Sequence, residues 1–581
     1  MAIQNAPAPG EAPLPAADAA ALLRSNAAGP HADRVAVRFG DRTWTHAGYH
    51  AESSRWAQLF VDRHRSSERP LHVGVLLDNT PDYLFALGGA ALAGATVVGL
   101  NHTRTGEHLA RDVRHADVDL LVTEPGHWPD VEGIRADVPG VELIVSHRFP
   151  RHDDPPDGAD DLDEVLDGLP REDPALEPGP DTRWALIFTS GTSSAPKAVV
   201  CSQRRLLVTG NRMVMLMDLT AEDVGYVCMP LFHSNALMVG WAPSIVVGAG
   251  VALARRFSAS GWLPDVRHHG ATWFNYTGKP LSYILATPAR ADDADNPVRV
   301  AFGNEGSPEV LETFAARFGV RVIDAFGSTE GAIAVSRDAP PRRGAMGVAG
   351  PTVLVVDADG RELPPARFDA DGRLLNAEEC VGEIVNSAGA GPFEGYYNND
   401  EATASALRGG WYWSGDLGYL DEERYLYFAG RTADWIRVDG ENFPAGPIDE
   451  AVAAHPGVVV AAAYGVPDVH AGDQLAVAVV PRGGVRLDPV ELARWIDESS
   501  GLPPKWRPRY LRIADELPTT GTNKVVKRTL VHQKVRRDRL GDDVLWVRDR
   551  GEPAFRPFTA ADEEALREAL VAAGRANLWE I

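Results

Sequence analysis

From residue 35 onward, short runs of Val, Leu and Ile alternate with Ala-rich stretches. His72-Val73-Gly74-Val75-Leu76-Leu77 predicts a strand, residues 83–93 a helix, and residues 96–100 the next strand. The alternation persists through residues 320–323. Nearly continuous apolar strands between helices imply buried sheets, so the fold class is α/β, an α+β multidomain chain. Residues 150–181 are dense in Pro, Asp and Gly and read as a surface excursion. After Gly430 a smaller α/β unit begins, with a helix at 448–454, strands at 458–464 and 475–480, and a helix at 488–498. The expected division is a flexible arm over 1–30, a large domain over 31–432, and a smaller one over 433–581 ending in a helical extension. Glycines near that junction suit a hinge.

With 581 residues and 44 % hydrophobic content, the chain can bury more than one core. A net charge of −24 opposes a nucleic-acid partner and suits solubility. Cys201, Cys228 and Cys380 lack metal-ligand spacing, which points to a reducing cytoplasm without a disulfide framework. Residues 1–21 do not read as a signal peptide, and no apolar run reaches the roughly 18 residues a membrane span needs. Six of the 57 basic residues are lysines, at positions 197, 279, 505, 524, 527 and 534. A GC-rich genome explains the bias, and a surviving lysine marks a place that needs a compact, mobile ammonium. Lys505, Lys527 and Lys534 are expected to be chance survivors.

Against that background Thr189-Ser190-Gly191-Thr192-Ser193-Ser194-Ala195-Pro196-Lys197 stands out, directly after the apolar run 184–188. A buried strand feeding a tight hydroxyl-rich loop can turn several donors toward one polyphosphate, with Lys197 adding a point charge. It is not the Walker loop, because the Gly-Lys-Ser/Thr ending is missing. A Ser/Thr-rich surface loop would need neither the strand nor the Pro-Lys ending. Phe326-Gly327-Ser328-Thr329-Glu330-Gly331 sets a hydroxyl beside a carboxylate, which suits a phosphate and a hard cation such as Mg²⁺. Trp413-Ser414-Gly415-Asp416-Leu417 places an acid in an expected turn, suited to ribose hydroxyls. Gly430-Arg431-Thr432-Ala433-Asp434 offers a forked donor, and Leu517-Pro518-Thr519-Thr520-Gly521-Thr522-Asn523-Lys524 a lysine on a polar loop. Each is weak singly; their order and spacing make chance a poor explanation.

Together these motifs resemble the adenylate-forming superfamily of acyl-CoA synthetases, peptide-synthetase adenylation domains and firefly luciferase, over about residues 35–535. Met229-Pro230-Leu231-Phe232-His233-Ser234-Asn235-Ala236, Gly303-Asn304-Glu305-Gly306 and Asp439-Gly440-Glu441-Asn442 are similar to actinobacterial very-long-chain and steroid-side-chain acyl-CoA synthetases. The resemblance implies a large N-terminal domain of two α/β sheets plus a distorted β-barrel, and a small mobile C-terminal lid that alternates between two steps.

It also implies ATP, Mg²⁺ and CoA: a carboxylate attacks the α-phosphate to give acyl-AMP and pyrophosphate, then CoA takes the acyl group. The catalytic residues implied are Lys524, Thr329, Glu330 and His233, with Glu330 serving the metal. Thr189, Ser190, Gly191, Thr192, Ser193 and Lys197 would hold phosphates. Asn304, Glu305, Asp324, Ala325 and Phe326 would frame adenine, and Asp416 and Arg431 would hold ribose. Trp241, Trp273, Asn275, Tyr276 and Gly278 would lie around the acyl pocket, and Gly440, Glu441 and Asn442 in the lid.

Ser194, Ala433, Pro447 and Asn523 depart from the family pattern and put the thiol step, more than the nucleotide site, in question. The expected substrate is a bulky apolar acid, whether long-chain fatty, steroid side-chain or polycyclic terpenoid, in lipid or secondary metabolism. Two other readings stay open. One is an adenylation-only enzyme passing its acyl group to a carrier protein or partner enzyme. The other is a non-catalytic acyl- or nucleotide-binding or uptake protein. A homodimer is also left open.

Overall fold

The structure, a computed structural model, describes residues 14–64, 69–149, 159–189, 197–277, 279–304, 306, 308–336, 342, 345–369, 374–431, 435–438, 441–467, 473–500, 502, 506–519, 525–549, 552–572 and 579. Two compact units emerge: Met1–Asp338 with Ala388–Tyr412, and Ala339–Ser387 with Trp413–Ile581.

The first unit holds two eight-stranded sheets. In the first sheet, six parallel strands run in the order Arg321–Gly327, Val300–Asn304, Trp273–Thr277, Val224–Val227, Gly250–Leu253 and Val35–Phe39, with an antiparallel strand at each edge. In the second, the parallel strands include His72–Leu76, Thr96–Gly99 and Arg183–Thr189. Arg183–Thr189 then turns back antiparallel into Lys197–Ser202, which Tyr396–Tyr397 borders. The apolar runs at 72–77, 96–100 and 184–188 are strands because both their faces are covered, so no polar alternation is needed.

The helix Pro81–Ala93 is buried nearly all round, as its Tyr83-Leu84-Phe85-Ala86-Leu87 run requires. Pro81 starts it, and Gly94 ends it at φ +71°. Its Gly88-Gly89 pair meets the helix His46–Arg63: a Cβ at Gly88 would stand 2.1 Å from Ser53 Oγ, and one at Gly89 2.6 Å from Trp56 Cβ.

Two expectations fail here. The arm expected over 1–30 is, from Asp18 to Gly29, a capped helix, Ala19–Ala28, with Leu22 and Leu23 buried. Gln203 fixes it by accepting from Ala19 N and Ala20 N (3.0 and 3.3 Å), and Asn26 Nδ2 donates to Ile245 O (2.7 Å). The sparse apolar residues of this helix hid a long-range anchor. The excursion expected over 150–181 contains an edge strand, Asp160–Asp161, and a helix, Leu162–Asp167, whose Leu162 and Leu166 are buried.

In the second unit, Ala345–Val348, Tyr425–Arg431, Trp411–Leu420, Gly382–Asn386 and Val353–Val356 form an open sheet in that order, where a distorted barrel was expected. This sheet groups with the C-terminal residues, so the compact units do not divide at 432/433. Trp435–Val438 and Glu441–Pro444 pair as a ribbon. A five-stranded sheet follows, led by Val458–Pro467 and Asp473–Pro481. One core joins it to Ile436, Ile448 and Leu492; the other takes in Leu530, Leu570 and Trp579, so the helical extension Ala560–Ala572 is packed. Lys527 and Lys534 are not chance survivors: Lys527 Nζ lies 2.6 Å from Asp449 Oδ2, and Lys534 is 4 % exposed with Nζ 3.5 Å from Trp579 O. Among the described residues no helix is long and apolar enough to cross a membrane.

Gly89→Ala adds a helix-favouring residue worth about 1 kcal/mol, but its Cβ meets Trp56 Cβ and, at 3.0 Å, the backbone nitrogen of Ala57. Overpacking of about 1–3 kcal/mol should win. The urea midpoint is expected to fall; an unchanged or raised midpoint would show that the two helices can separate freely.

Candidate active site

Four neighbouring parallel strands of the first sheet end side by side, and their carboxyl ends carry several of the candidate residues. Loops leaving strand ends are released from the ladder and can aim groups at a ligand. Val224–Val227 leads into Met229 to His233, clamped by Asn79: its Nδ2 donates to Met229 O (2.8 Å), and Leu231 N donates to its Oδ1 (2.9 Å). The His233 ring lies 4.5 Å from that of Phe232. Asn235–Trp241 then forms a π-helical stretch running into the α-helix Ala242–Val247. Such wide turns re-aim side chains at functional sites. Gly240 lets this stretch lie on the strand Trp273–Thr277, because a Cβ there would stand 2.9 Å from Asn275 Oδ1. Asn235 closes the contact, donating to Tyr276 O (3.0 Å) and accepting from Asn275 Nδ2 (2.5 Å).

On the other face of that strand, Tyr276 Oη donates to Asp324 Oδ2 (2.9 Å), which also accepts from Gly306 N (3.0 Å). Ala325 follows Asp324 in the same strand. Asn304 ends the neighbouring strand, and its Oδ1 is buried without a partner among the described residues. An acceptor held this way suits a ligand N–H.

Thr329 and Glu330 sit on the turn after Arg321–Gly327. Arg205, from the helix Gln203–Met217, donates to the carbonyls of Thr329 and Glu330 (3.0 Å to the latter) and of Val200 (2.9 Å). Thr329 Oγ1 and Ser234 Oγ are 3.0 Å apart. Glu330 is 8 % exposed, and its Oε1 accepts from Tyr396 Oη at 2.6 Å. Lys197 stands opposite Thr189 at the base of the hairpin, with Nζ 5.4 Å from the Tyr396 ring centroid. Thr189 and Lys197 are thus paired across the two strands. A hydroxyl beside a carboxylate, with an ammonium that shares one tyrosine with that carboxylate, can serve a polyphosphate and a hard cation.

In the second unit, Asp416 and Arg431 face each other across the antiparallel strands Trp411–Leu420 and Tyr425–Arg431. Asp416 is buried and lies within a strand, where a turn was expected; Ser414 Oγ accepts from its N–H at 3.0 Å. Ser190, Gly191, Thr192, Ser193, Ser194, Gly278, Glu305, Ala433, Gly440, Asn523 and Lys524 lie outside the described residues, as do the side chains of Phe326, Arg431, Glu441 and Asn442.

Residues 23–397 match the AMP-binding enzyme family, and residues 447–524 match the AMP-binding enzyme C-terminal domain. The chain belongs to the AMP-binding enzyme family. Over 94 % of its length it is 45 % identical to 97 % of a Rhodococcus jostii protein named steroid-22-oyl-CoA synthetase. Over 83 % it is 42 % identical to 89 % of a Mycobacterium marinum protein named medium/long-chain-fatty-acid–CoA ligase FadD17. The solved anthranilate CoA ligase AuaEII with anthranoyl-AMP shares its fold at a TM-score of 0.76 and 20 % identity, over 90 % of this chain and 98 % of that one. The chain is an ATP-dependent, AMP-forming acyl-CoA ligase.

Within this AMP-binding enzyme, the expected acyl-pocket set does not hold together. Trp241 is buried and stacks on Trp184 at 5.7 Å and 10°. Trp273 is fully buried in a core with Met213, Met217 and Val300. Asn275 and Tyr276, being adjacent on a strand, point to opposite faces, so one pocket cannot take both. Pro447 falls in the first turn of the helix Gly446–Ala453, where its missing N–H has no helical partner to lose.

Asn79, Arg205 and Tyr396 were missed. Asn79 and Arg205 act through side chain–main chain bonds that leave no periodic trace, and Tyr396 lies in a strand of two residues. Asp78, His102 and His127 bring ligand-type atoms within 4.8 Å of one another. Arg255 and Arg256 already bond the Asp78 carboxylate, supplying the positive charge a cation would bring. Burial, with His127 alongside, lowers His102 to about 4, so this group is a neutral imidazole packed on the Phe232 ring at 5.1 Å.

Arg205→Lys keeps the charge but loses the planar fork. Pyrophosphate release is expected to fall about 10- to 100-fold, the worth of charged hydrogen bonds to the Thr329–Glu330 turn. Full activity in this variant would show that those carbonyl contacts do not position the turn.

Proposed function

We propose that this ligase activates a large apolar carboxylic acid, of steroid side-chain, long-chain fatty or related polycyclic type. The observation that carries the reading is the 45 % identity over 94 % of the chain to a protein named for a steroid-22-oyl substrate. The relative named for medium- and long-chain fatty acids supports the same class.

In this reading, the hairpin from Thr189 to Lys197 holds the β- and γ-phosphates. Thr329 and Glu330 hold the α-phosphate and Mg²⁺; hydroxyl and carboxylate oxygens are the hard ligands that ion prefers. Bound there, the ion would neutralise charge on the phosphate oxygens. The acid's carboxylate oxygen attacks the α-phosphorus while the bond to pyrophosphate breaks. Lys524 bridges carboxylate and α-phosphate and stabilises the shifting charge. His233 lies by the carboxylate, the Asn304 carboxamide accepts from the adenine amine, and Asp416 and Arg431 hold the ribose. CoA sulfur then attacks the acyl carbonyl and AMP leaves. The working boundary of the lid stays at 432/433, between the two family matches, with 433–581 as the moving part. The cytoplasm is the proposed setting, since Cys201, Cys228 and Cys380 are free and buried.

Acetate, benzoate, a C16 fatty acid and a polycyclic carboxylic acid, assayed for pyrophosphate release with and without CoA, test the reading. At about 0.8 kcal/mol per buried methylene, the large acids should lead by orders of magnitude in kcat/KM. Preference for acetate or benzoate would overturn the substrate class. Acyl-AMP that forms but is not passed to CoA would favour a carrier-protein acceptor. Separately, Lys524→Ala should lose acyl-AMP formation by about a hundredfold or more, yet convert supplied acyl-AMP with CoA. Pyrophosphate release at the parent rate would remove Lys524 from the mechanism.

A further inference from the structure

Tyr396 belongs to none of the motifs that mark the site, yet its side chain joins two of them. We propose that Tyr396 is a positioning residue for adenylation: its hydroxyl fixes the Glu330 carboxylate and its ring supports Lys197. This rests on the reading that Glu330 holds Mg²⁺ and Lys197 the phosphates.

The placement of Tyr396 is tightly determined. Its strand pairs with the hairpin strand through Tyr396↔Val199 and Tyr397↔Ala198. Just before it, Glu394 accepts from Ser202 N (2.7 Å) and Ser202 Oγ (2.5 Å), and Val200 N donates to Gly395 O (3.0 Å). Tyr396 N donates to Thr403 Oγ1 (3.0 Å), and the Phe393 ring meets the Tyr396 ring edge-on at 4.9 Å. Just after it, Tyr397 Oη donates to Asp117 (2.7 Å) under the Arg183 guanidinium. From this fixed base Tyr396 reaches from the second sheet to the turn that leaves the first.

The contact it makes there is chemically specific. Phenol to carboxylate at 2.6 Å, with Tyr396 7 % and Glu330 8 % exposed, is a charge-assisted bond shielded from water. A glutamate has three side-chain torsions, and a hard cation needs its oxygen in one place. The bond holds one oxygen and so fixes the direction of the other. The same ring lies within cation–π range of Lys197 Nζ, at 5.4 Å. Phenylalanine would pack equally well and keep the lysine contact, but would leave the carboxylate unheld.

The two roles separate by substitution. Tyr396→Phe, isosteric and so retaining the Phe393 contact, should raise the Mg²⁺ concentration for half-maximal pyrophosphate release about tenfold or more, the worth of a hydrogen bond to a charged group. At saturating Mg²⁺ its ATP KM should stay near the parent value, as should its rate of thioester formation from supplied acyl-AMP. Tyr396→Leu should raise the ATP KM as well. Tyr397→Phe, which loses only the bond to Asp117, should change stability and leave the Mg²⁺ requirement alone. Equal loss of both half-reactions in Tyr396→Phe, or an unmoved Mg²⁺ requirement, would overturn the proposal. Glu330→Gln tells that failure from failure of the underlying reading: if it too leaves the Mg²⁺ requirement unmoved, Glu330 is not the metal ligand.

Discussion

A carboxylate buried between two sheets is expensive unless its surroundings answer its charge, and Glu330 imposes that demand on the first unit. Arg205, itself 5 % exposed, is the nearby cation, but its fork bonds the carbonyls of Thr329, Glu330 and Val200. The guanidinium therefore braces the main chain of the turn, and the carboxylate is steadied by a neutral phenol. This division leaves the negative charge available to a cation, which a direct arginine–carboxylate fork would have neutralised. The arrangement suits a site that must gather Mg²⁺ and a polyphosphate.

From that demand the rest of residues 197–205 follows. Lys197 sits over the tyrosine that holds Glu330. Ser202 caps the helix that presents Arg205 and is held by Glu394. Gln203 donates to Ala91 O and accepts from the first turn of the N-terminal helix. Nine consecutive residues thus meet the strand Arg183–Thr189, the Thr329–Glu330 turn, the Pro81–Ala93 helix and the N-terminal helix, and a shift of one would be felt by all.

This explains what could be read from sequence. Buried strands announce themselves as apolar runs, so 72–77, 96–100 and 184–188 were legible. Long-range side chain–main chain bonds have no period. Asn79 clamping a turn 150 residues away and Gln203 capping a helix 184 residues earlier cannot be inferred from neighbours. The candidate acyl residues Asn275 and Tyr276 are divided by strand geometry, which sends adjacent side chains to opposite faces. Asp416 was assigned a turn from the glycine before it, while the cross-strand partnership with Arg431 keeps it in a sheet.

The lysines show where composition speaks and where it misleads. In an arginine-rich chain, scarcity argued for function at some lysines and chance at others. Among the described residues, three lysine side chains are placed, and each has a partner. Lys197 rests on a ring, and Lys527 bonds Asp449, which also accepts from Ala463 N at 2.5 Å. Lys534 is buried against the carbonyl of Trp579. Lys527 also sits just beyond the bridge Thr519↔Val525. The ion pair with Asp449 therefore ties that bridge to the helix Gly446–Ala453, so a lysine dismissed on composition holds two elements of the C-terminal sheet domain together.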